Sequence, residues 1–360
     1  MGRTATDQTT WEGNNMASGR HRVIQWATGN IGARALRATI EHPELDLVGV
    51  WVSSDDKAGT DAGELCGLDP TGIIATSSVE ALVSLDADCV LYMRQGVDWE
   101  ELGALLASGK NISTTRGEFH HPPSMPTEHR SRIEEACAAG GTSVYATGSS
   151  PGFITEALPL PLLSLGRRLD CLTIDEFADV SSRSTPEIVF DIMGFGKKVG
   201  EFDPRRAEHL EAGFGGSMRQ LAEAIGLPID DIDADGELAA ANDDVEIAAG
   251  TVEAGTVGAM RITVTGRHAG KPVVRFRANW YVTTDVDHTE WNLRESGWRV
   301  QVEGDTPLAV EITFPVAPED YAAFTPGLTA HRAVNAIPMV CAAEPGIRTT
   351  IDLPQVIPRF

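Results

Sequence analysis

The sequence predicts an α/β protein built as a parallel-sheet domain followed by an α+β domain whose sheet is mainly antiparallel. Three observations carry this. Apolar strand-like runs alternate with helix-forming segments from His21 to about residue 146, the pattern of repeated βαβ units. A short glycine turn, Ala27-Thr28-Gly29-Asn30-Ile31-Gly32, joins the first of these strands to a helix. After Asp230, β-branched and aromatic runs crowd together, with Met260–Arg267 and Val273–Thr283 flanking Gly270-Lys271 as in an antiparallel hairpin.

In chain order, residues 1–20 are rich in Thr, Asn and Gly without an apolar period and are expected to be a disordered tail. Val23–Trp26 is the first strand, Arg34–Glu41 a helix stopped by Pro43, and Leu45–Val52 a second strand. Gly59–Gly72 reads as a Gly- and Asp-rich loop, and Val79–Ser84 as a short helix. Strands at Cys89–Tyr92, Asn111–Thr114 and Thr142–Ala146 then alternate with helices at Asp98–Ala107 and Pro126–Ala139. Residues 21–152 thus form a Rossmann-like, dinucleotide-binding domain. Residues 153–327 form the substrate and dimerisation domain, with a strand at Cys171–Val180 and helices at Thr185–Val199 and Arg205–Ile225 that glycines weaken. Its later strands are Val245–Thr251, the hairpin pair, Trp298–Glu303 and Leu308–Phe314. A helix at Gly327–Cys341 opens a C-terminal segment, 328–360, that returns to the first domain.

Composition narrows the function. A formal net charge of −23 repels nucleic acid and anionic membranes, so neither is an expected partner. No apolar run approaches the roughly 20 residues that span a bilayer, and the N-terminus lacks the apolar core of a secretory signal. The five cysteines are scattered, odd in number and without a C-x-x-C pair, which argues against a disulfide framework or a metal cluster. A reducing cytoplasm is the expected location, and no metal is expected.

The glycine turn is the strongest chemical signal. Between strand and helix it lets backbone N–H groups meet a pyrophosphate at the positive helix end. Thr28, Gly29, Asn30, Ile31 and Gly32 are the residues for this, although Ala27 stands where the usual fingerprint has its first glycine. At the end of the second strand, Ser53, Ser54 and Lys57 suit a ribose 2′-phosphate, which tilts the cofactor to NADP(H); Asp55 and Asp56 keep NAD(H) open. Glu118, in the loop after the Asn111–Thr114 strand, lies at the carboxyl edge of the sheet, where it could hold an ammonium or act as a base; an exposed loop carboxylate is the plainer reading. His120 and His121 read as structural or pocket-lining. The junction Gly148-Ser149-Ser150-Pro151-Gly152-Phe153 reads as an interdomain turn facing the nicotinamide.

Together RVIQWATGNIG (22–32), LDLVGVWVSS (45–54), KNISTTRGEF (110–119), GSSPGFITEALP (148–159) and HRAVNAIP (331–338) resemble the 2,4-diaminopentanoate dehydrogenase-like family, which includes the native NAD(P)H-dependent amine dehydrogenases and sits in the dihydrodipicolinate reductase N-terminal-domain superfamily. The reductase itself is a poor match, because 175–183 (DEFADVSSR) lacks its HH-x-x-K and S-G-T elements. The resemblance implies a homodimer that reductively aminates small ketones or aldehydes with ammonia, or deaminates the amines. It implies Glu118 as the amine-binding catalytic carboxylate. It places Ser149, Pro151, Gly152 and Phe153 near the nicotinamide and Asn335 in the pocket. Two alternatives stand beside it. One is an amino-acid dehydrogenase of the 2,4-diaminopentanoate type, for which Arg94, Arg116 or Arg183 would hold the carboxylate. The other is a non-catalytic, NADP-sensing protein on the same fold.

Overall fold

The structure, a computed structural model, describes residues 19–360; the expected N-terminal tail lies outside them except for Gly19 and Arg20. The first half alternates strands β1 (His21–Trp26), β2 (Leu45–Trp51), β3 (Cys89–Tyr92), β4 (Asn111–Thr114) and β5 (Ser143–Ala146) with helices α1 (Asn30–Glu41), α2 (Ala62–Cys66), α3 (Val79–Val83), α4 (Trp99–Ala107) and α5 (Thr127–Gly140). These strands are short and apolar because helices cover both faces of the sheet; every residue of β3 and β5 is buried. The stretch read as a loop, Gly59–Gly72, contains α2. Its start is capped by Asp61, whose carboxylate accepts from Gly63 N, and Gly67 ends it in the left-handed conformation.

A kinked helical segment, Ser149–Ala157, and α6 (Pro159–Leu163) lead into the second half. There follow β6 (Leu169–Asp179), a single helical turn Glu187–Ile192, α7 (Pro204–Ala224), and strands β7 (Asp231–Ala240), β8 (Val245–Ile247), β9 (Gly250–Val252), β10 (Val257–His268), β11 (Lys271–Tyr281), β12 (Gly297–Gly304) and β13 (Leu308–Thr313). The chain then forms α8 (Pro318–Asn335), α9 (Ile337–Cys341) and β14 (Gly346–Arg348).

The first sheet orders as β14-β5-β4-β3-β1-β2, parallel throughout, so the C-terminal strand completes its edge beside β5. The second orders as β13-β12-β6-β11-β10-β7 and is antiparallel except between β6 and β11. Helix α7 packs on one face of this second sheet, burying Phe214, Met218 and Leu221 against Ile262, Val264 and Phe276. Phe214 and Phe276 stack with centroids 3.9 Å apart. The opposite face is polar only in part: Phe177, Ala259 and Tyr281 form an apolar cluster with Val286 and Trp291, beside a charged one. There Asp175, fully buried, accepts from Arg277 (3.0 Å) and Arg299 (2.7 Å).

Several elements differ from the reading of the sequence, each for a physical reason. The expected helix at Thr185–Val199 shrinks to Glu187–Ile192, because Gly194 and Gly196 take φ of 82° and 69° and turn the chain away. The glycines of α7 do not break it. A Cβ on Gly117 would stand 3.4 Å from Gly213 O, so small residues on α7 let the loop after β4 approach closely. Strand β7 was not foreseen. Its sequence, DIDADGELAA, is an edge strand with acidic residues on the exposed positions, and carries little apolar signal. Val245–Thr251 is a small hairpin rather than one strand. The last helix begins nine residues early at Pro318 and is interrupted after Asn335.

Candidate functional site

The first cleft lies at the carboxyl edge of the parallel sheet, as such sheets require. Its floor is the β1–α1 turn. Helix α1 starts at Asn30 with no side-chain cap and no acidic residue in its first turn, which leaves its N–H groups and positive end to an anion. Gly29 faces open space: a Cβ there would meet no atom within 4 Å, and would occupy the cleft itself. Gly32 has the opposite constraint, because a Cβ would lie 2.2 Å from Ala27 O. It lets helix and strand touch. Ala27 performs the tight turn in place of glycine and takes a φ of 73° to do so.

The cleft, about 730 Å³, runs from β2 across the turn to β5. At the β2 end it is lined by Ser53, Ser54 and Lys57, while Asp55 and Asp56 do not line it. Lys57 Nζ donates to Thr28 O at 3.1 Å, so the ammonium is held at the cleft floor. The Ser54 hydroxyl donates to Asp56, which lowers the pKa of that carboxyl. At the β5 end the lining includes Thr147, Gly148, Ser150, Pro151 and, from α8, Thr329. The hydroxyls of Thr147 and Ser150 are buried without a partner, and the Arg116 Nε is likewise unpaired. Buried polar atoms without partners are costly. Grouped here beside an anion-ready helix start, they fit a dinucleotide with its amide-bearing ring at this end.

Two further cavities adjoin this end of the cleft. One, of about 680 Å³, shares Thr115, Arg116 and Pro151 with it and contains Glu118. Glu118 accepts from Arg116 at 2.9 Å and lies among Trp99, His121, His129 and His209. Its loop is anchored from below: His120 Nδ1 lies 2.6 Å from Glu156 Oε1, both side chains being almost fully buried, and Ser217 of α7 donates to the same oxygen. His121 contacts Ser124 and Glu223.

The other cavity, of about 550 Å³, lies between β6, β12 and α8, and shares Asn30, Ile31, Ser150 and Thr329 with the cleft. Trp280, Trp298, Phe177 and Tyr321 give it aromatic walls. Glu176 of β6 reaches into it and accepts from Trp298 Nε1 at 3.2 Å. Part of Glu176 stays accessible through the cavity, yet enough protein surrounds it that burial pushes its pKa up; Ser150 and Trp298 oppose that shift. Burial, with Glu176 nearby, pushes Tyr321 up to about 12. Arg183 lines the same cavity.

The expected residues therefore separate. Thr28, Gly29, Asn30, Ile31, Ser53, Ser54, Lys57, Ser150 and Pro151 line the cleft. Gly32 supports it from behind. Ser149 faces the aromatic cavity, and its hydroxyl bonds to Thr329 at 2.7 Å. Three more of the expected residues do not line the cleft. Phe153 turns away to Arg332 and Trp298 and lines a separate pocket. Gly152 packs on Thr147. Asn335 lies in the last turn of α8, six residues beyond Thr329, and lines none of these three spaces. Arg94 is bound to Glu101 through two contacts of 2.9 and 3.0 Å. Glu176 is a site residue that sequence reasoning missed, although period-2 reading held the signal: Leu172 and Ile174 on its side of β6 are core positions, and a carboxylate follows them in phase.

A parallel sheet with an anion-ready turn and a cleft that shares its wall with an aromatic cavity defines a nicotinamide-dependent oxidoreductase of the Rossmann class. The comparisons narrow it further. Residues 178–359 match the family model of the 2,4-diaminopentanoate dehydrogenase C-terminal domain. An amine dehydrogenase from Streptomyces virginiae is 30% identical over 348 residues, 92% of this chain and 96% of that one. The chain belongs to this family of NAD(P)-dependent amine dehydrogenases. Its fold is that of an amine dehydrogenase from Mycobacterium smegmatis (TM-score 0.72, 21% identity, 95% of this chain and 98% of that one). A probable dehydrogenase from Thermotoga maritima is similar more distantly (TM-score 0.58, 13% identity, 92% of each).

Proposed function

We propose that the protein reductively aminates small ketones or aldehydes with ammonia, and in reverse deaminates the amines. The observation that carries this is the junction at Ser150 and Thr329, where the cofactor cleft opens directly onto an aromatic cavity holding a carboxylate. A bound nicotinamide supplies a hydride to the carbon that bears nitrogen, or accepts it. The chain's own part is to bind, orient and protonate. Thr28–Ile31 would hold the pyrophosphate, and Thr147 and Ser150 the carboxamide end. Glu118, at the cleft edge, would bind ammonia as ammonium and move its proton; Arg116 keeps it in position. The aromatic walls exclude water and set substrate size.

NADP(H) is the preferred cofactor in this reading, because Ser53, Ser54 and Lys57 face the ribose end and no carboxylate among the lining residues does; NAD(H) remains usable. The polar face of the second sheet around Asp175, Arg277 and Arg299 would pair two copies into a homodimer in the cytoplasm. Arg183 supports a second reading. It lines the aromatic cavity with no ion pair among the described residues, and would receive the carboxylate of an amino-acid substrate.

The test is a panel of ketones, aldehydes and keto acids with ammonium, following NADPH and NADH oxidation in parallel. Ammonium-dependent oxidation of NADPH is expected. Ammonium-independent oxidation would make the protein a carbonyl reductase, and binding without turnover would make it a cofactor sensor. Preference for keto acids that is lost in Arg183→Ala would favour the second reading.

A further inference from the structure

Within that amine-forming reading, on which this inference rests, we propose that Glu176 is a second catalytic residue, the acid that expels water from the carbinolamine inside the aromatic cavity. The geometry that points to it is the side chain's place in the fold. Glu176 leaves β6 toward the α7 side, where its strand neighbours Leu172 and Ile174 enter the apolar core and Ala178 lines the same cavity. It alone among them is a carboxylate. It does not join an ion pair there; the Trp298 indole N–H is its hydrogen-bond partner, 3.2 Å away. Its cavity shares Ser150 with the cofactor cleft, and the Ser150 hydroxyl lies near enough to Glu176 to oppose the rise in its pKa. A largely surrounded carboxyl that joins no ion pair among the described residues, at the wall of a substrate-sized cavity that shares residues with the cofactor cleft, is arranged to carry a proton rather than a permanent charge.

The chemistry balances. Addition of ammonia to the carbonyl gives a carbinolamine. The neutral Glu176 carboxyl gives its proton to the carbinolamine hydroxyl. The C–O bond breaks, water leaves, and the nitrogen lone pair forms the C=N bond. The products are an iminium cation, water and the Glu176 carboxylate. The cation then has its counter-charge beside it, with the Trp280 and Trp298 rings as walls. Glu118, held by Arg116 in the other cavity, is left to bind and deprotonate ammonium, so the two carboxylates divide acid and base work. The titratable groups that share the Glu176 cavity are Asp179, Arg183 and Tyr321.

The acid form is the active one in reductive amination. Burial raises the Glu176 pKa, which extends the acid form to higher pH, and kcat should fall as pH rises through the raised value. The decisive variant is Glu176→Gln, which keeps shape and hydrogen bonding. Expected are a loss of about a hundredfold or more in kcat, disappearance of that limb, and unchanged NADPH affinity by tryptophan fluorescence. Trp298→Phe removes one of the two groups, with Ser150, that lower the pKa, so its limb should move to higher pH. A readout independent of turnover is the infrared carbonyl band of the protonated carboxyl, which in the wild type should fade with rising pH along the kinetic limb and be absent in Glu176→Gln. If that band is missing in the wild type, or if Glu176→Gln keeps wild-type kcat and pH profile, the inference is overturned. If the wild type shows no ammonium-dependent oxidation of NADPH but does show the band, the amine-forming reading fails instead.

Discussion

Arg116 donates to Glu118 across 2.9 Å, two residues apart in a loop that divides the cofactor cleft from the cavity beneath α7. Both side chains are partly exposed, so the pair adds little to stability, about 1 kcal/mol at most. Its value is positional. Arg116→Ala should leave the thermal midpoint nearly unchanged. It should lower kcat/KM for ammonium about tenfold or more, because a freed Glu118 loses its orientation. Steady-state kinetics with a melting curve on the same preparation separate the two effects.

Ala27 and Gly32 make opposite predictions from one contact. Ala27→Gly relieves a left-handed alanine, worth roughly 1–2 kcal/mol, against a glycine entropy cost of roughly 0.5–1 kcal/mol. A small net stabilisation is expected in denaturant unfolding. Gly32→Ala places a Cβ 2.2 Å from the Ala27 carbonyl oxygen. Helix and strand must separate, at about 1–3 kcal/mol, and NADPH affinity should drop with them.

Lys57 reports the cofactor. In the proposed NADP(H) reading its ammonium, which donates to Thr28 O at the cleft wall, would receive the 2′-phosphate. Loss of one charge-assisted bond, about 1.5–3 kcal/mol, predicts that Lys57→Ala weakens NADPH roughly ten- to hundredfold and leaves NADH almost untouched. Equal weakening of both would remove the case for NADP(H).

Asp175 holds Arg277 and Arg299 on the polar face of the second sheet. Asp175→Ala leaves two guanidinium groups together without their buried counter-charge, and should cost about 3–5 kcal/mol. Chemical denaturation measures it. Restoring the loss by the further change Arg299→Met would show that the stranded charge, not packing, was responsible.

Cys341 offers a chemical probe of the returning C-terminal segment. A hydrogen bond from Cys89 and the neighbouring His21 hold its thiol pKa below the ordinary value, despite burial. A lowered value means thiolate persists to lower pH, so alkylation should mark Cys341 first among the five cysteines near neutral pH. His21→Ala should slow it, and peptide mass mapping gives the answer.

Strand and helix positions in the first half were legible because β1 to β5 are buried on both faces and their apolar runs mark them directly. The glycine turn was legible because its chemistry is local: six consecutive residues define strand end, anion site and helix start. The parallel first sheet and the mainly antiparallel second sheet followed from those periods. What lay beyond the sequence were relations between distant segments. β7 carries too many acidic residues to announce itself, and forms because β10 supplies a partner. The α7 glycines read as helix breakers, and serve as the surface that the Glu118 loop approaches. Phe153 and Asn335 sit in motifs beside the cleft, yet the local chain turns Phe153 onto the core beside Trp298 and carries Asn335 past the cleft. Glu176 was visible as one carboxylate in an apolar alternation, but its cavity is built by β6, β12 and α8, whose walls Trp298 and Tyr321 stand more than a hundred residues away in the chain. Sequence determines what neighbouring residues can do to one another. Which carboxylate meets Ser150 and the cofactor cleft was decided only when β6, β12 and α8 closed around the segment that carries Ser150.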